Sequence, residues 1–171
     1  MLRGSSQQAT TTVMKMGITV GVPRETSSGE TRVAATPDSV KRLLKFGFDV
    51  AIERGAGDAA GFQDQDYEAA GALLVGAADV WSSRIVAKIA PPKDEEASAL
   101  RQGSMLVSLL EPFRNESLLE NLARRQIDAL ALEAIPRTSR AQAMDVLSSQ
   151  AGIAGYRAVL EAASHYGRFF P

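Results

Sequence analysis

The amino-acid sequence predicts an α/β fold in which a parallel sheet is flanked by helices. Two observations support this class: short apolar runs alternate with helical patterns as far as about residue 132, and Gly or Pro punctuates the transitions. Ligands bind such sheets at the carboxyl ends of the strands. The loops of interest are therefore those that follow Val22, Ala90, Leu110 and Glu133.

The strand predictions rest on apolar runs that end at a turn former. The run GITVGV stops at Pro23, RIVAKIA stops at Pro91, and SMLVSLL is closed by Pro112. In chain order, strands are predicted at residues 17–22, 49–53, 73–75, 84–90, 104–110 and 127–132.

The first predicted helix has the clearest boundaries. Thr36 is a good N-cap, Pro37 fits the first turn, and Gly47 ends the helix. Its apolar face is expected to comprise Val40, Leu43, Leu44 and Phe46. Further helices are predicted at residues 64–70, at residues 94–101 and after an Asn115 cap.

A long helical pattern then covers residues 141–166, about 35–40 Å at 1.5 Å per residue. We therefore expect a polar leader at residues 1–15, an α/β domain at 16–140 and a connecting helix at 141–171. The leader is basic and free of acidic residues, so a transit peptide, a disordered extension and a misassigned start all stay open.

Composition excludes several classes of function. Nineteen Lys and Arg balance twenty Asp and Glu, which argues against a nucleic-acid-binding protein. The chain has no Cys, which excludes disulfides, thiolate metal sites and cysteine nucleophiles, and its one His, His165, excludes a polyhistidine metal site. No stretch reaches the roughly 20 apolar residues of a membrane span.

Two other motifs favour structural interpretations. The segment GAGDAAG at residues 55–61 has the wrong glycine spacing for a dinucleotide fingerprint, so a tight surface turn is expected. Ser149 and His165 lie sixteen residues apart on one predicted helix, about 24 Å, too far for a catalytic pair. His165 is expected to be a cation at the helix end.

Three basic or polar features leave alternatives open. Arg32 lies in the loop after the first strand, and Lys88 is either an exposed edge residue or part of an anion site at the strand ends. The segment at residues 136–148 packs two Arg, a Gln, an Asp and hydroxyls together. It is either a helix start, capped through Ser139 and Gln142 or by Asp145, or a polar clamp for a phosphate and a carboxamide.

Several segments in register resemble a known superfamily. The sequences GVPRE at residues 21–25, GETRVA at 29–34, TP at 36–37 and ERGAG at 53–57 resemble the N-terminus shared by alanine dehydrogenases and the alpha subunit of proton-translocating NAD(P) transhydrogenase. The resemblance covers residues 16–171. It implies a flavodoxin- or Rossmann-like N-terminal domain, and a helix that leads to a dinucleotide-binding domain absent from this chain.

Specific residues separate the two branches. Arg32 and Lys88 match positions that hold pyruvate in alanine dehydrogenases, but the stretch at residues 109–112, just past the strand where those enzymes place a catalytic histidine, contains no histidine. The segments at residues 136–150 and 155–163 resemble the transhydrogenase loop that reaches the nicotinamide of NAD(H).

The transhydrogenase resemblance therefore implies the site. It assigns catalytic roles to Gln142, Arg137 and Asp145, and cofactor contacts to Arg137, Arg140, Gln142, Asp145, Ser148 and Tyr156, with no metal site.

The same resemblance implies partners. NAD(H) would bind the complete protein and NADP(H) a partner domain, with a membrane domain translocating protons and the NAD(H) part forming a homodimer. The protein would be peripheral, on the cytoplasmic face of the inner membrane, and the chain alone is expected to be inactive. An alanine-dehydrogenase-like fragment and a non-catalytic docking module remain the alternatives.

Overall fold

The computed structural model describes residues 17–168, so the leader predicted at residues 1–15 lies outside the described part. The strands are β1 (Thr19–Val22), β2 (Asp49–Glu53), β3 (Leu73–Val75), β4 (Ile85–Ala87), β5 (Met105–Ser108) and β6 (Asp128–Ala131). The helices are α1 (Pro37–Lys45), α2 (Asp64–Ala70), α3 (Ala77–Trp81), α4 (Asp94–Ala99), α5 (Glu116–Arg124) and α6 (Val146–His165).

The six strands form one parallel sheet in the order β3-β2-β1-β4-β5-β6. Val20 of β1 lies beside Val50 of β2 on one side and Ile85 of β4 on the other. The strand order therefore reverses between β1 and β4, and their carboxyl ends diverge there to form the crevice in which such sheets bind ligands. The predicted α/β class with a parallel sheet is confirmed.

Two apolar clusters hold the helices on the sheet. One contains Val22 and Ile52 of the sheet, Val40 of α1 and Tyr67 of α2. The other contains side chains from both the sheet and the helices α3, α4 and α5: Trp81, Val86, Ala97, Leu100, Leu106, Leu110, Leu118, Leu122 and Ile127. The helices thus cover opposite faces of a buried sheet, as parallel sheets require.

Helix α1 begins and ends as predicted. The Oγ1 of Thr36 accepts a hydrogen bond from the Ser39 N–H at 3.2 Å, and Gly47 follows the helix with a left-handed φ of 88°. Val40 is fully buried. The expected burial of Phe46 is wrong, because this residue is the C-cap and its ring is 80% exposed.

Helix α3 packs directly against β1, a contact that Gly21 permits. A Cβ at Gly21 would stand 2.5 Å from the Val80 carbonyl oxygen and 2.6 Å from the Ser83 hydroxyl. The sequence pattern does not predict α3, because its five residues are too few to show a helical period.

Helix α6 leaves the sheet after β6; Val146 and Leu147 in its first turn are half-buried, and every residue from Ser148 onward is exposed. Its apolar side chains include Ile153, Tyr156, Val159 and Leu160, all in contact with solvent. No helix within residues 17–168 is long and apolar enough to cross a membrane.

Candidate functional site

The polar segment before α6 forms an open cavity. A turn at Gln142–Met144 folds the chain back so that a cavity of about 280 Å³ opens at the helix start. It is lined by Arg137, Thr138, Ser139, Gln142, Asp145 and Ser148. The chain thus brings a guanidinium, a primary amide, a carboxylate and hydroxyls to one surface within twelve residues.

Asp145 both lines this cavity and starts α6. Its Oδ1 accepts from the Ser148 N–H at 3.0 Å, and its Oδ2 accepts from the Ser148 hydroxyl at 2.5 Å. These hydrogen bonds, together with the charge of Arg137, hold the pKa of Asp145 below its usual value. The sequence left two N-caps for this helix open, a capping box of Ser139 and Gln142 or Asp145. In the structure Asp145 is the N-cap, and Ser139 and Gln142 lie outside the helix.

The other two predicted site residues do not line the cavity. Arg140 is exposed in the turn. Tyr156 lies two turns further along α6, with 69% of its surface exposed. Of the six residues that the sequence assigned to one site, the structure gathers Arg137, Gln142, Asp145 and Ser148.

The chemistry of this set is recognition. The Arg137 guanidinium offers a fork of N–H donors, and the Gln142 amide can donate and accept at once, so the pair suits an anion beside a carboxamide. Within residues 17–168, no cluster of His, Asp and Glu could hold a metal ion.

A buried ion pair lies at the crevice between β1 and β4. Glu25, in the loop after β1, accepts from the Lys88 Nζ at 2.6 Å, the Ile89 N–H at 2.6 Å and the Ala90 N–H at 3.3 Å. The side chains of Lys88 and Glu25 are 0% and 3% exposed. The exposed-edge interpretation of Lys88 is therefore wrong, and the anion beside it is Glu25.

Arg32 is also held by neighbours. Its Nε and Nη2 donate to the two carboxylate oxygens of Glu30 at 2.8 and 2.6 Å, and its Nη1 donates to the Gln150 Oε1 at 3.0 Å. The hydrogen bonds from Arg32 lower the pKa of Glu30, and Glu30 in turn raises the pKa of Arg32. The sequence could not reveal Gln150 as a partner, because it lies 118 positions away.

Glu111 occupies a strained position at the end of β5. Its φ is 47°, in the left-handed region that few side chains adopt. The carboxylate of Glu133 accepts from the N–H groups of Leu110 and Glu111, which fixes this turn. Glu111 itself pairs with Arg114 at 3.3 Å.

The structural interpretations of the other motifs also hold. The turn at residues 55–61 is closed by Asp64, whose Oδ1 accepts the Gly55 N–H at 2.8 Å. Ser149 donates to the Asp145 carbonyl, while His165 ends α6 beside Glu161. Ser149 and His165 therefore have separate partners near opposite ends of one helix.

A family model described as "Alanine dehydrogenase/PNT, N-terminal domain" matches residues 21–154. The chain belongs to this family. The alanine dehydrogenase/PNT assignment agrees with the resemblance seen in the motifs at residues 21–57, so the predicted superfamily is confirmed.

Within the alanine dehydrogenase/PNT family, the chain is similar to transhydrogenase alpha subunits. It is 48% identical over 151 residues to the NAD(P) transhydrogenase subunit alpha of Haemophilus influenzae, covering 88% of this chain and 30% of that protein. The crystal structure of the transhydrogenase from Sinorhizobium meliloti matches with a TM-score of 0.86 and 41% identity, over 90% of this chain and 46% of that one.

Alanine dehydrogenases are similar at lower identity. The enzyme of Bacillus subtilis is 33% identical over 137 residues, covering 80% of this chain and 35% of that enzyme. The chain thus spans about a third to a half of the length of these relatives.

Proposed function

We propose that this chain is the N-terminal part of the NAD(H)-binding subunit of an NAD(P) transhydrogenase, which transfers hydride between NADH and NADP⁺ coupled to proton translocation. The observation that carries the proposal is the cavity in front of α6, where Arg137, Gln142, Asp145 and Ser148 meet. The higher identity to transhydrogenase alpha subunits than to an alanine dehydrogenase supports it.

The side chains of the cavity fit a nicotinamide. A carboxamide needs a donor and an acceptor side by side, which the Gln142 amide supplies. Arg137 offers a fork of donors for nearby negative charge. Asp145 is held by Ser148, so it fixes the start of α6 and the walls of the cavity.

The catalytic contribution of these residues is positioning. When bound, the dihydronicotinamide supplies the hydride. Gln142 orients the ring so that donor and acceptor carbons approach to about 3–3.5 Å, and the loop excludes water around them. Arg140 and Tyr156 contribute contacts from the rim once the rest of the protein covers α6.

The second candidate, an alanine dehydrogenase, is less well supported by the geometry. Arg32 and Lys88, the positions that would hold pyruvate, are engaged by Glu30 and Glu25. Residues 109–112, just past the strand where alanine dehydrogenases place a catalytic histidine, contain no histidine. The third candidate is a docking module without activity.

The proposed reaction needs parts outside this chain. These are a dinucleotide-binding domain, an NADP(H)-binding domain and a membrane domain, with the NAD(H) part forming a dimer on the cytoplasmic face of the inner membrane. The chain alone is inactive and binds NADH weakly, because a few hydrogen bonds of about 0.5–1.5 kcal/mol each cannot offset the entropy lost on binding. Micromolar affinity in a calorimetric titration would contradict this.

The decisive experiment measures hydride transfer from NADH to an NADP⁺ analogue in the complete enzyme. We expect Gln142→Leu to lower the rate tenfold or more, because the group that orients the ring is lost. The matched control is Met144→Leu, an apolar exchange at an exposed position of the same turn. Equal rates in the two variants would remove Gln142 from its role, whereas alanine oxidation would favour the second candidate and neither activity the third.

A further inference from the structure

The polar segment and α6 are weakly tied to the sheet. Residues 136–140 are exposed, as is every residue of α6 from Ser148 onward. Among the described residues from Pro136 to His165, the hydrogen bond from Arg32 to Gln150 is the one that joins this region to the α/β domain. Ala141 is buried and Val146 and Leu147 are half-buried, so the orientation of the cavity relative to the sheet depends on their apolar contacts and on this one hydrogen bond.

Arg32 is well placed to supply such a contact, because Glu30 holds its side chain independently of Gln150. Three of its N–H groups point to one carboxylate: Nε, Nη2 and the backbone N–H all donate to Glu30. The Glu30 side chain is 14% exposed. This fork leaves Nη1 directed at α6, so less conformational entropy is lost on forming the last hydrogen bond.

The loop that carries Arg32 is itself anchored. Glu25 fixes its start on the end of β4, and the Thr26 hydroxyl donates to Glu96 at 2.9 Å. Lys93 donates to the Thr26 carbonyl at 2.9 Å. These hydrogen bonds tie the start of the loop to the end of β4 and to α4, six to seven residues before Arg32.

Gln150 transmits the contact to the cavity. It lies in the second turn of α6, two residues after Ser148 and five after Asp145, which are the residues that form the N-cap and one wall of the cavity. Within a helix that short distance behaves as a rigid unit, so a shift of Gln150 moves Asp145 and Ser148 with it.

We propose that Arg32, held by Glu30, is a positioning residue that latches α6 through Gln150 and thereby orients the Arg137–Ser148 loop for hydride transfer. The role rests on the proposed function but uses different residues. It gives Arg32 a task other than holding a substrate carboxylate.

The first test needs no activity. In the 171-residue chain, Arg32→Lys and Gln150→Leu each remove the latch, and losing one hydrogen bond corresponds to about a threefold to tenfold change in an equilibrium. We expect the rate of amide hydrogen exchange over residues 138–150 to rise by that factor in each variant. The double variant should exchange no faster than either single variant, because both changes remove the same hydrogen bond. Arg157→Lys, which alters an exposed Arg on α6 paired with Glu161, is the control and leaves it unchanged.

The second test uses the complete enzyme. Because most NADH affinity lies elsewhere, we expect Arg32→Lys and Gln150→Leu each to lower kcat for hydride transfer by threefold or more, with KM for NADH within twofold of the wild-type value. Gln150→Glu should keep kcat near the wild-type value, because the new carboxylate can pair with Arg32. Unchanged loop exchange overturns the latch. Quickened exchange with unchanged kcat overturns its role in transfer, and the Gln142→Leu result then shows separately whether the proposed function stands.

Discussion

Replacing Lys88 with Met tests whether the buried pair at the switch point stabilises the fold. Met keeps most of the volume of the side chain but removes an ammonium that is fully buried and lies 2.6 Å from Glu25. Glu25 would keep the N–H groups of Ile89 and Ala90 as donors, yet its charge would have lost the close cation. A second carboxylate, Glu96 at 3.7 Å, would lose the same cation.

The magnitude follows from that uncompensated charge. Breaking a buried ion pair by removing one partner costs about 3–5 kcal/mol. The two remaining backbone donors and the partial exposure of Glu96 place Lys88→Met near the lower limit, so we expect a loss of about 3 kcal/mol. At roughly 2–4 °C per kcal/mol for a domain of this size, Tm falls by about 6–12 °C.

The assay is urea unfolding followed by circular dichroism, with the m-value checked for constancy. Lys41→Met is the matched control, because Lys41 makes an exposed pair with Asp38 and its loss should change the free energy of unfolding by less than about 0.5 kcal/mol. If both variants unfold at the same urea concentration, the reasoning is refuted. The double variant Glu25→Leu/Lys88→Met should recover part of the loss, because it removes the buried charge of Glu25 together with its cation and leaves only the partly exposed Glu96 without Lys88.

Three further predictions concern other parts of the fold. Gly21→Ala should lower the free energy of unfolding by about 1–3 kcal/mol in the same assay, because its Cβ would clash with α3, whereas Gly152→Ala, in open space on α6, should leave it unchanged or raise it. Burial raises the pKa of Tyr67 to about 12, so the folded protein favours the protonated phenol; its contribution to the free energy of unfolding is complete below pH 10 and falls between about pH 10 and 12. Tyr67→Phe should reduce this fall, and it should lower the free energy of unfolding by about 1 kcal/mol because the hydrogen bond to the Ala35 carbonyl is lost. The lowered pKa of Asp145 means that its cap is lost only as the pH falls below the ordinary carboxyl range; Asp145→Ala should quicken exchange of the first α6 amides at pH 6, and an unchanged rate would refute the cap.

Elements with local signals were predictable from the sequence. Strand β2 and helix α2 have the predicted bounds, because each is a short pattern closed by Gly. The predicted strand at residues 84–90 is shorter in the structure, since Glu25 takes the N–H groups of Ile89 and Ala90 away from the sheet. That competition depends on a residue more than sixty positions away, and no local pattern reveals it.

The candidate site divides in the same way. Arg137, Gln142, Asp145 and Ser148 lie within twelve residues, so their clustering followed from one turn and one helix start. Their roles toward a cofactor stay predictions. Arg32 was singled out without a partner, because its partner on α6 is brought near only by the complete fold.

The cavity lies after the edge strand β6, away from the crevice between β1 and β4, so substitutions at these two places have different consequences. Side chains at the crevice between β1 and β4, such as Lys88 and Glu25, are buried, so substitutions there lower the free energy of unfolding. Most of residues 137–148 are exposed, so substitutions at those exposed positions can change the cavity while the Tm of the domain stays nearly constant. Related proteins can therefore share one α/β core and differ in chemistry at the single turn before α6.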